Sequence, residues 1–376
     1  MATDFRALPK LRPNKPNLQP FYYFDIASDH PQWQPTTQTV HPPTPTYPDR
    51  IHLISWNIDF STPAPSERMS AALQHLNTLQ ATHDKNNGAP TILFFQEMVP
   101  SDLKLIQEAP WIRDRFYITD ISHAQWRGGY GTTTLVDRRL ALQRVFRVPF
   151  ASSTMGRDGL FVDIRVKDSG IVRLCNTHLE SLQSGTPARA VQLKLVSEFM
   201  RGIGGCGGGP ATATAEAGEW DSAAASEAKA ETENEVELSL PNPRAAIVAG
   251  DLNAIASADV DLPGKCGLSD AFLALGGTGS DEEGFTWGYQ RPGWVSSRLP
   301  CGRLDKVLFC GGVAAVSLTR IGRGLKARVD VRTSDNEGGV GSDSDSDRFE
   351  DIWVTDHFGL GAEFRILPVP VPCRLE

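Results

Sequence analysis

The feature that most constrains this chain is a recurring unit, a short apolar, β-branched or aromatic run that stops in a polar cluster. RIHLISW runs into Asn57, Ile58 and Asp59, and TILFF runs into Gln96 and Glu97. IVRLC ends in Asn176, Thr177, His178, Leu179 and Glu180; RAAIVAG ends in Asp251, Leu252 and Asn253. GRLDKVLF sets Asp305 at a strand start, and WVTDHFGLGAEF sets Asp356 and His357 just before another strand. Between these runs SERMSAALQHLNTLQ, PARAVQLKLVSEFMRGI and LSDAFLAL have helical spacing, the first and last with serine as N-cap. GYGTTTLVDRR, LQRVFRVPF and LFVDIRV read as strands that follow one another without a helix. Such a mixture predicts an α+β sandwich, two packed sheets with helices outside.

Length and composition bound the rest. The chain has 376 residues, 40% of them hydrophobic, enough for one large core or two ordinary ones. Its first twenty residues lack the apolar region of a signal peptide, and no window is apolar enough to span a membrane. An intracellular protein, with no membrane association and monomeric, is the expectation. Six scattered cysteines, without a CxxC pair, read as reduced thiols. The segment 1–48 is proline-rich and reads as an extended or disordered lead-in, so folded structure is expected as a single domain over 50–368. Two low-complexity acidic stretches, about 203–242 and 333–349, read as disordered surface insertions that could recruit protein partners. They account for the formal charge of -8, and the remaining body is mildly basic, as an anionic substrate requires.

The polar strand ends carry the chemistry. Each alone reads as a turn or surface residue, but six sets beside strands of one fold converge if the ends share one side of the sandwich. Oxygen ligands without cysteine suit a hard ion such as Mg²⁺. A separate aspartate can activate water, an asparagine can orient it, and two histidines can donate to phosphoryl oxygens. This set of side chains suits hydrolysis of a phosphate ester.

In that order WNID, QE, THLE, GDLN, RLDKVLF and TDHFGL resemble the endonuclease/exonuclease/phosphatase superfamily, whose fold is a four-layer α/β sandwich of two packed mixed β-sheets with helices outside. FFQEMVP, PFASSTMGRDGL, NTHLESLQSGTPARAVQLKLVSEF, GDLNA with GLSDAFLALGG, and GFTWGYQ with GRLDKVLF look like the type 2 tyrosyl-DNA phosphodiesterases. The resemblance spans about Ile51 to Phe364. It implies a DNA-repair enzyme that uses Mg²⁺, with Mn²⁺ as a substitute. The enzyme would hydrolyse the bond joining a topoisomerase tyrosine to a DNA 5′ phosphate, with single-stranded DNA as partner and a nuclear as well as cytoplasmic location. It further implies that Glu97 is the principal metal ligand, with Asn57 beside it and Asp356 reaching the ion through water. Asp251 would activate water and Asn253 hold it in line. His178 and His357 would stabilise the equatorial oxygens, with Asp305 orienting His357 and Ser181 adding a hydroxyl.

Substrate contacts are expected from Arg157, from Phe272 as a platform for a terminal base, and from Trp287 as a hydrophobic wall. Arg189, Arg291 and Trp294 are further candidates. The chain departs from the family in three places: WNIDFST replaces WNIDGL, Gln183 replaces an arginine, and Ala254, Ile255 and Ala256 follow GDLN where a basic residue often stands. Two contacts to the nucleic-acid backbone are thereby lost. Other phosphodiesterases of the superfamily (an abasic-site or other nuclease, a phospholipid or inositol phosphatase) and an inactive DNA-binding scaffold stay open as alternatives.

Overall fold

Strand structure begins well before Arg50. The computed structural model describes residues 11–40, 47–86, 88–166, 170–203, 239–290, 300–330 and 349–368. Within them β1 (Asn17–Gln19), β2 (Phe21–Asp25) and β3 (Gln32–Thr36) precede the expected start of the fold. The reading of the lead-in as disordered is therefore corrected over this stretch. These strands are short and gain their stability from neighbours: β1 lies antiparallel to Ala141–Pro149, and Phe21 is buried against Tyr117. Pro35 is accommodated because β3 is the last strand of its sheet, where no ladder donor is needed. The two acidic stretches fall outside the described residues over 204–238 and 331–348, as do Arg291 and Trp294.

The remaining strands are β4 (Arg50–Asn57), β5 (Thr91–Met98), β6 (Phe116–Ile118), β7 (Gly131–Asp137), β8 (Ala141–Pro149), β9 (Asp158–Arg165) and β10 (Ile171–His178). They continue with β11 (Ala245–Asp251), β12 (Ser269–Asp270), β13 (Asp305–Gly311), β14 (Val313–Ile321), β15 (Lys326–Asp330), β16 (Phe349–Trp353) and β17 (Gly359–Ile366). Among the described residues one large sheet has the order β1-β8-β9-β10-β11-β13-β12 and the second β14-β17-β4-β5-β7-β6-β2-β3, while β15 and β16 pair as a separate two-stranded sheet. Both large sheets are mixed, since β4 and β5 pair in parallel, as do β10 and β11, while the other pairings are antiparallel.

Alternation along each strand builds the layers. β4 sends Ile51 and Leu53 between the sheets, and Ile54 and Trp56 outward beneath the helices α1 (Pro65–Lys85) and α2 (Pro100–Glu108). β11 sends Ile247 and Ala249 inward, and Ala246 and Val248 toward Leu193, Val196 and Phe199. Those three lie on the helix Thr186–Met200, which covers the other outer face. The result is the four-layer sandwich, helices on both outer faces. No helix among the described residues is long and apolar enough to cross a membrane.

Two helix starts differ from the sequence reading. α1 begins with Pro65 after Ala64 in a left-handed conformation, so Ser66 lies inside the helix rather than capping it. LSDAFLAL becomes β12 followed by a single turn, Ala271–Ala274, capped by Asp270 through the Phe272 N–H. Of the cysteines, Cys175, Cys266, Cys301 and Cys310 are free, with the first two buried.

Candidate active site

Topology explains why the polar strand ends meet. In a parallel pair the carboxyl ends lie together, so Asn57 ends β4 beside the Gln96–Glu97 end of β5, and His178 ends β10 opposite Asp251 of β11. Antiparallel β13 starts where β11 ends, which sets Asp305 directly across from Asp251. The two sheets then bring both groups together across the sandwich. Asn57 Nδ2 donates to Glu97 Oε1 at 3.2 Å and to Asp251 Oδ2 at 3.1 Å.

Glu97 reaches this cluster by a local distortion. Strict alternation would aim it outward with Leu93 and Phe95, toward α2. Instead its backbone is left-handed at φ 58°, and the β5–β7 register shifts between Phe95 and Met98. Such a bulge re-aims one side chain and costs strain. Gly250 performs a matching service on β11: at φ 148°, a Cβ there would stand 1.8 Å from the Thr177 carbonyl oxygen. Only glycine lets β10 and β11 close up just before Asp251.

Asp251 is surrounded by donors. Its Oδ1 accepts from the Asn253 N–H at 2.8 Å, and its Oδ2 lies 3.4 Å from His178 Nε2 and 3.7 Å from His357 Nε2. Burial, together with the charge of Asp305, pushes its carboxyl up to about 6. Glu97 is pushed up to about 7 by burial, although the Phe60 N–H, at 3.0 Å from Oε2, works the other way.

The two histidines differ in charge. Arg157 NH1 is 2.7 Å from His178 Nδ1, and a guanidinium can only donate, so Nδ1 accepts and the ring proton sits on Nε2. Burial, with Arg157 and His357 nearby, holds His178 well below the usual histidine range. It is a neutral donor whose buried Nε2 makes no hydrogen bond among the described residues. His357 is the reverse: burial opposes its charge, but Asp305, Asp356 and Asp251 outweigh it and raise its pKa well above normal. Asp305 Oδ2 accepts from His357 Nδ1 at 2.7 Å, leaving a charged Nε2–H toward Asp251.

The other expected residues take different places. Arg157 is buried rather than surface-exposed; NH2 donates to Ser181 Oγ at 2.9 Å, and its guanidinium lies 5.2 Å from the Tyr130 ring centre. Ser181 thereby serves Arg157. The Asn253 amide donates to the Leu179 carbonyl at 3.1 Å, so its closest service to Asp251 comes from its backbone. Asp356 accepts from Trp287 Nε1 at 2.7 Å and belongs to neither group of close potential ligands among the described residues. Phe272 is not an open platform: Arg303 covers one face at 4.6 Å, and its ring packs against Gly277 and Gly284. Arg189 is buried on Asp259 and the carbonyls of Glu180 and Leu182, which fixes the loop after His178.

Sequence reasoning missed the rim. Phe60, 43% exposed, stacks on Tyr130 with ring centres 4.0 Å apart, and its backbone binds Glu97. The departure WNIDFST was the only sign of it. Glu180, within THLES, was also unassigned: it is buried and accepts from Ser153, Thr154 and Gln192, anchoring the turn that carries Arg157.

The donor set fits a hard divalent ion on Glu97. This half-buried carboxylate has only N–H donors for partners, and Glu97, His178 and Asp251 offer ligand atoms within 4.8 Å of one another. His178 Nε2 carries a proton, so the fitting ligands are carboxylate oxygens, the chemistry Mg²⁺ prefers.

The chain belongs to the Endonuclease/Exonuclease/phosphatase family, whose model matches residues 54–357. Members are hydrolases of phosphate esters and generally depend on a divalent metal. No curated protein matches the chain. Among solved structures it is similar to TDP2 from C. elegans, at 21% identity over 84% of this chain and 75% of that one, with a TM-score of 0.55. It is also similar to humanized D. rerio TDP2 (18% identity, 85% of this chain, 100% of that one, TM-score 0.54). D. rerio TDP2 complexed with single strand DNA product is a third (16%, 84% and 99%, TM-score 0.53). At such identity the likeness establishes the fold.

Proposed function

We propose that this chain is a Mg²⁺-dependent phosphodiesterase that hydrolyses the 5′-phosphotyrosyl bond between a topoisomerase-derived tyrosine and DNA. The convergence of Asn57, Glu97, His178, Asp251, Asp305 and His357 carries the chemistry. The THLES and PFASSTMGRDGL passages, with the fold likeness to TDP2, support the substrate. Single-stranded DNA binding and a role in DNA repair belong to the same reading.

Asp251 takes a proton from water as the water oxygen bonds to phosphorus. The bond from phosphorus to the tyrosine oxygen breaks, its electron pair leaves on the phenolate, and the phenolate takes a proton from solvent. Products are tyrosine and a 5′-phosphorylated strand. The neutral Nε2–H of His178 and the charged Nε2–H of His357 flank Asp251 and donate to the non-bridging oxygens as charge builds. Asp305 keeps His357 charged, and the Asn253 N–H keeps Asp251 aimed. Glu97, oriented by the Asn57 amide, would hold the metal, which supplies positive charge against the phosphate when bound. Phe60 and Tyr130 give the Glu97 side a flat aromatic edge suited to an aryl leaving group.

The test is incubation with a 5′-phosphotyrosyl oligonucleotide, an abasic duplex and an inositol phosphate, each with Mg²⁺ and with EDTA. Tyrosine release from the first substrate alone, and only with metal, is expected. Turnover of another substrate in its place would overturn the reading.

A further inference from the structure

Among the described residues the sheet edges are blunted one by one, with a single exception. β3 ends its sheet with Pro35, and at the opposite end β14 is interrupted by a bulge between Ala315 and Ser317. β1 and β12, the outer strands of the other large sheet, are three and two residues long. Proline, bulges and shortness are ordinary means of keeping an edge from pairing with another chain. In the separate ribbon β15 carries Lys326 and Arg328, and edge cations serve the same end. β16, FEDIW, has neither proline, bulge nor cation.

Packing shows which part of the ribbon is open. The register places Ala327 with Ile352 and Val329 with Glu350 on one face, and Lys326 with Trp353 and Arg328 with Asp351 on the other. Ala327 and Ile352 pack on the cluster that includes Met69, Leu73 and Leu76 of α1. There Ala327 and Val329 are buried, whereas Ile352 is half-buried and Glu350 is exposed, so β16 overhangs the helix. On the second face Lys326 stands 4.6 Å over the Trp353 ring and Arg328 stands 4.7 Å over Phe349. Neither Glu350 nor Asp351 has an ion-pair partner among the described residues.

We propose that the outer edge of β16, over residues 350–353, takes an extended basic peptide segment of a partner protein as an added strand. Main-chain bonds give such a strand its affinity, and the side chains across the edge give it selectivity. Cross-strand neighbours of Trp353 and Ile352 are best apolar, and those of Asp351 and Glu350 best cationic. The fitting segment therefore reads apolar, apolar, basic, basic. Its charge also suits the surroundings, since residues 334–351 hold seven acidic residues and one arginine. Glu350, on the face turned toward α1, repels an acidic strand or a second copy of β16 and admits a basic one. Beyond Trp353 the chain passes through Val354 and Thr355 to Asp356 and His357, so a partner held on β16 is anchored a few residues from the candidate active site.

The test does not involve hydrolysis. Binding of the full chain to the fluorescein-labelled peptide TVVKRVT is measured by anisotropy, beside TVVEEVT and two forms of TVVKRVT N-methylated at one or the other set of alternate amides. An added strand turns only one set toward β16. One N-methylated form should therefore bind at least about tenfold more weakly and the other within about threefold of the parent peptide. TVVEEVT should be weaker than TVVKRVT by at least about tenfold, and Glu350→Lys combined with Asp351→Lys should reverse that preference. Equal binding of all three basic peptides would mean attraction by charge alone and overturns the proposal. So does equal loss with both N-methylated forms, or no binding of TVVKRVT. A folded double variant that keeps the original preference also overturns it, and the comparison of peptides on the unaltered protein holds even if that variant fails to fold.

Discussion

Asp305→Asn tests the charge distribution of the site most directly. His357 Nδ1 and Asp305 Oδ2 are 2.7 Å apart, and both side chains are buried. The histidine keeps its proton against burial because three carboxylates face it, Asp305 the nearest. Two unit charges about 4 Å apart attract by about 4 kcal/mol at an effective dielectric of about 20. Removing that attraction is enough to bring a buried imidazole, ordinarily near pKa 6.5, to its neutral form at pH 7.5. The amide still fills the space, so the fold is retained. Lost is a charged donor to the phosphoryl oxygens, and such a loss costs about 10² to 10³ in kcat. The assay is single-turnover release of tyrosine from a 5′-phosphotyrosyl oligonucleotide at pH 7.5, with thermal melting as the check on folding. A folded Asp305→Asn protein within about threefold of the parent rate would refute the argument that His357 acts as a cation.

Three further outcomes follow from the same structure. Glu97→Gln should weaken Mg²⁺ binding, read by calorimetry, by at least about tenfold, because it removes the carboxylate that lacks a cationic partner. Gly250→Ala should destabilise the protein by about 1–3 kcal/mol or more and depress activity, since the added methyl meets the Thr177 carbonyl oxygen; an unchanged melting temperature would contradict the close approach of β10 and β11. The contribution of His52 to stability should be lost as pH drops from about 6.5 to about 4, against the opposite effect of the raised carboxyls of Glu97 and Asp251. His52, stacked on His83, is lowered to about 4 by burial, so the unfolded chain takes up a proton in that window before the folded one does. Each pK unit is worth about 1.4 kcal/mol, giving about 3 kcal/mol in all, and His52→Gln should remove that loss from the denaturation profile.

Much of the architecture could be read in the sequence because alternation and polarity coincide in it. β4, β10 and β11 carry apolar residues at both faces and end in polar ones, so their order, their burial and the location of Asn57, His178 and Asp251 follow from one pattern. The N-terminal strands could not be read this way. FYYFD and QWQPT are too short to own a core and are stable only through pairing with strands far along the chain. Arg157 is expected as a substrate contact, but its buried place against His178 could not be read for a related reason: an arginine is ordinarily solvated, and burial is tolerable here because His178, Ser181 and Tyr130 meet it from other segments. Phe272 erred in the opposite sense, since an aromatic that looked available is covered by Arg303.

What the sequence could not express is direction. Two of the six residues at the centre are aimed by distortions of regular strand geometry: Glu97 by its left-handed backbone, and Asp251 by the glycine before it. Asp59 at φ 59°, Leu182 at φ 66° and Asn253 at φ 48° continue the pattern in the loops after Asn57, His178 and Asp251. Each such residue costs of order 1 kcal/mol or more, and together they are sustained because buried arginines tie these loops down. Arg68 binds the carbonyls of Ile58, Asp59, Thr62 and Val354, and Arg189 those of Glu180 and Leu182. Strain at the strand ends and arginine anchors beneath them are therefore two halves of one device. The strands supply the residues, the distortions turn them inward, and the anchors keep them turned when no ligand is there to hold them.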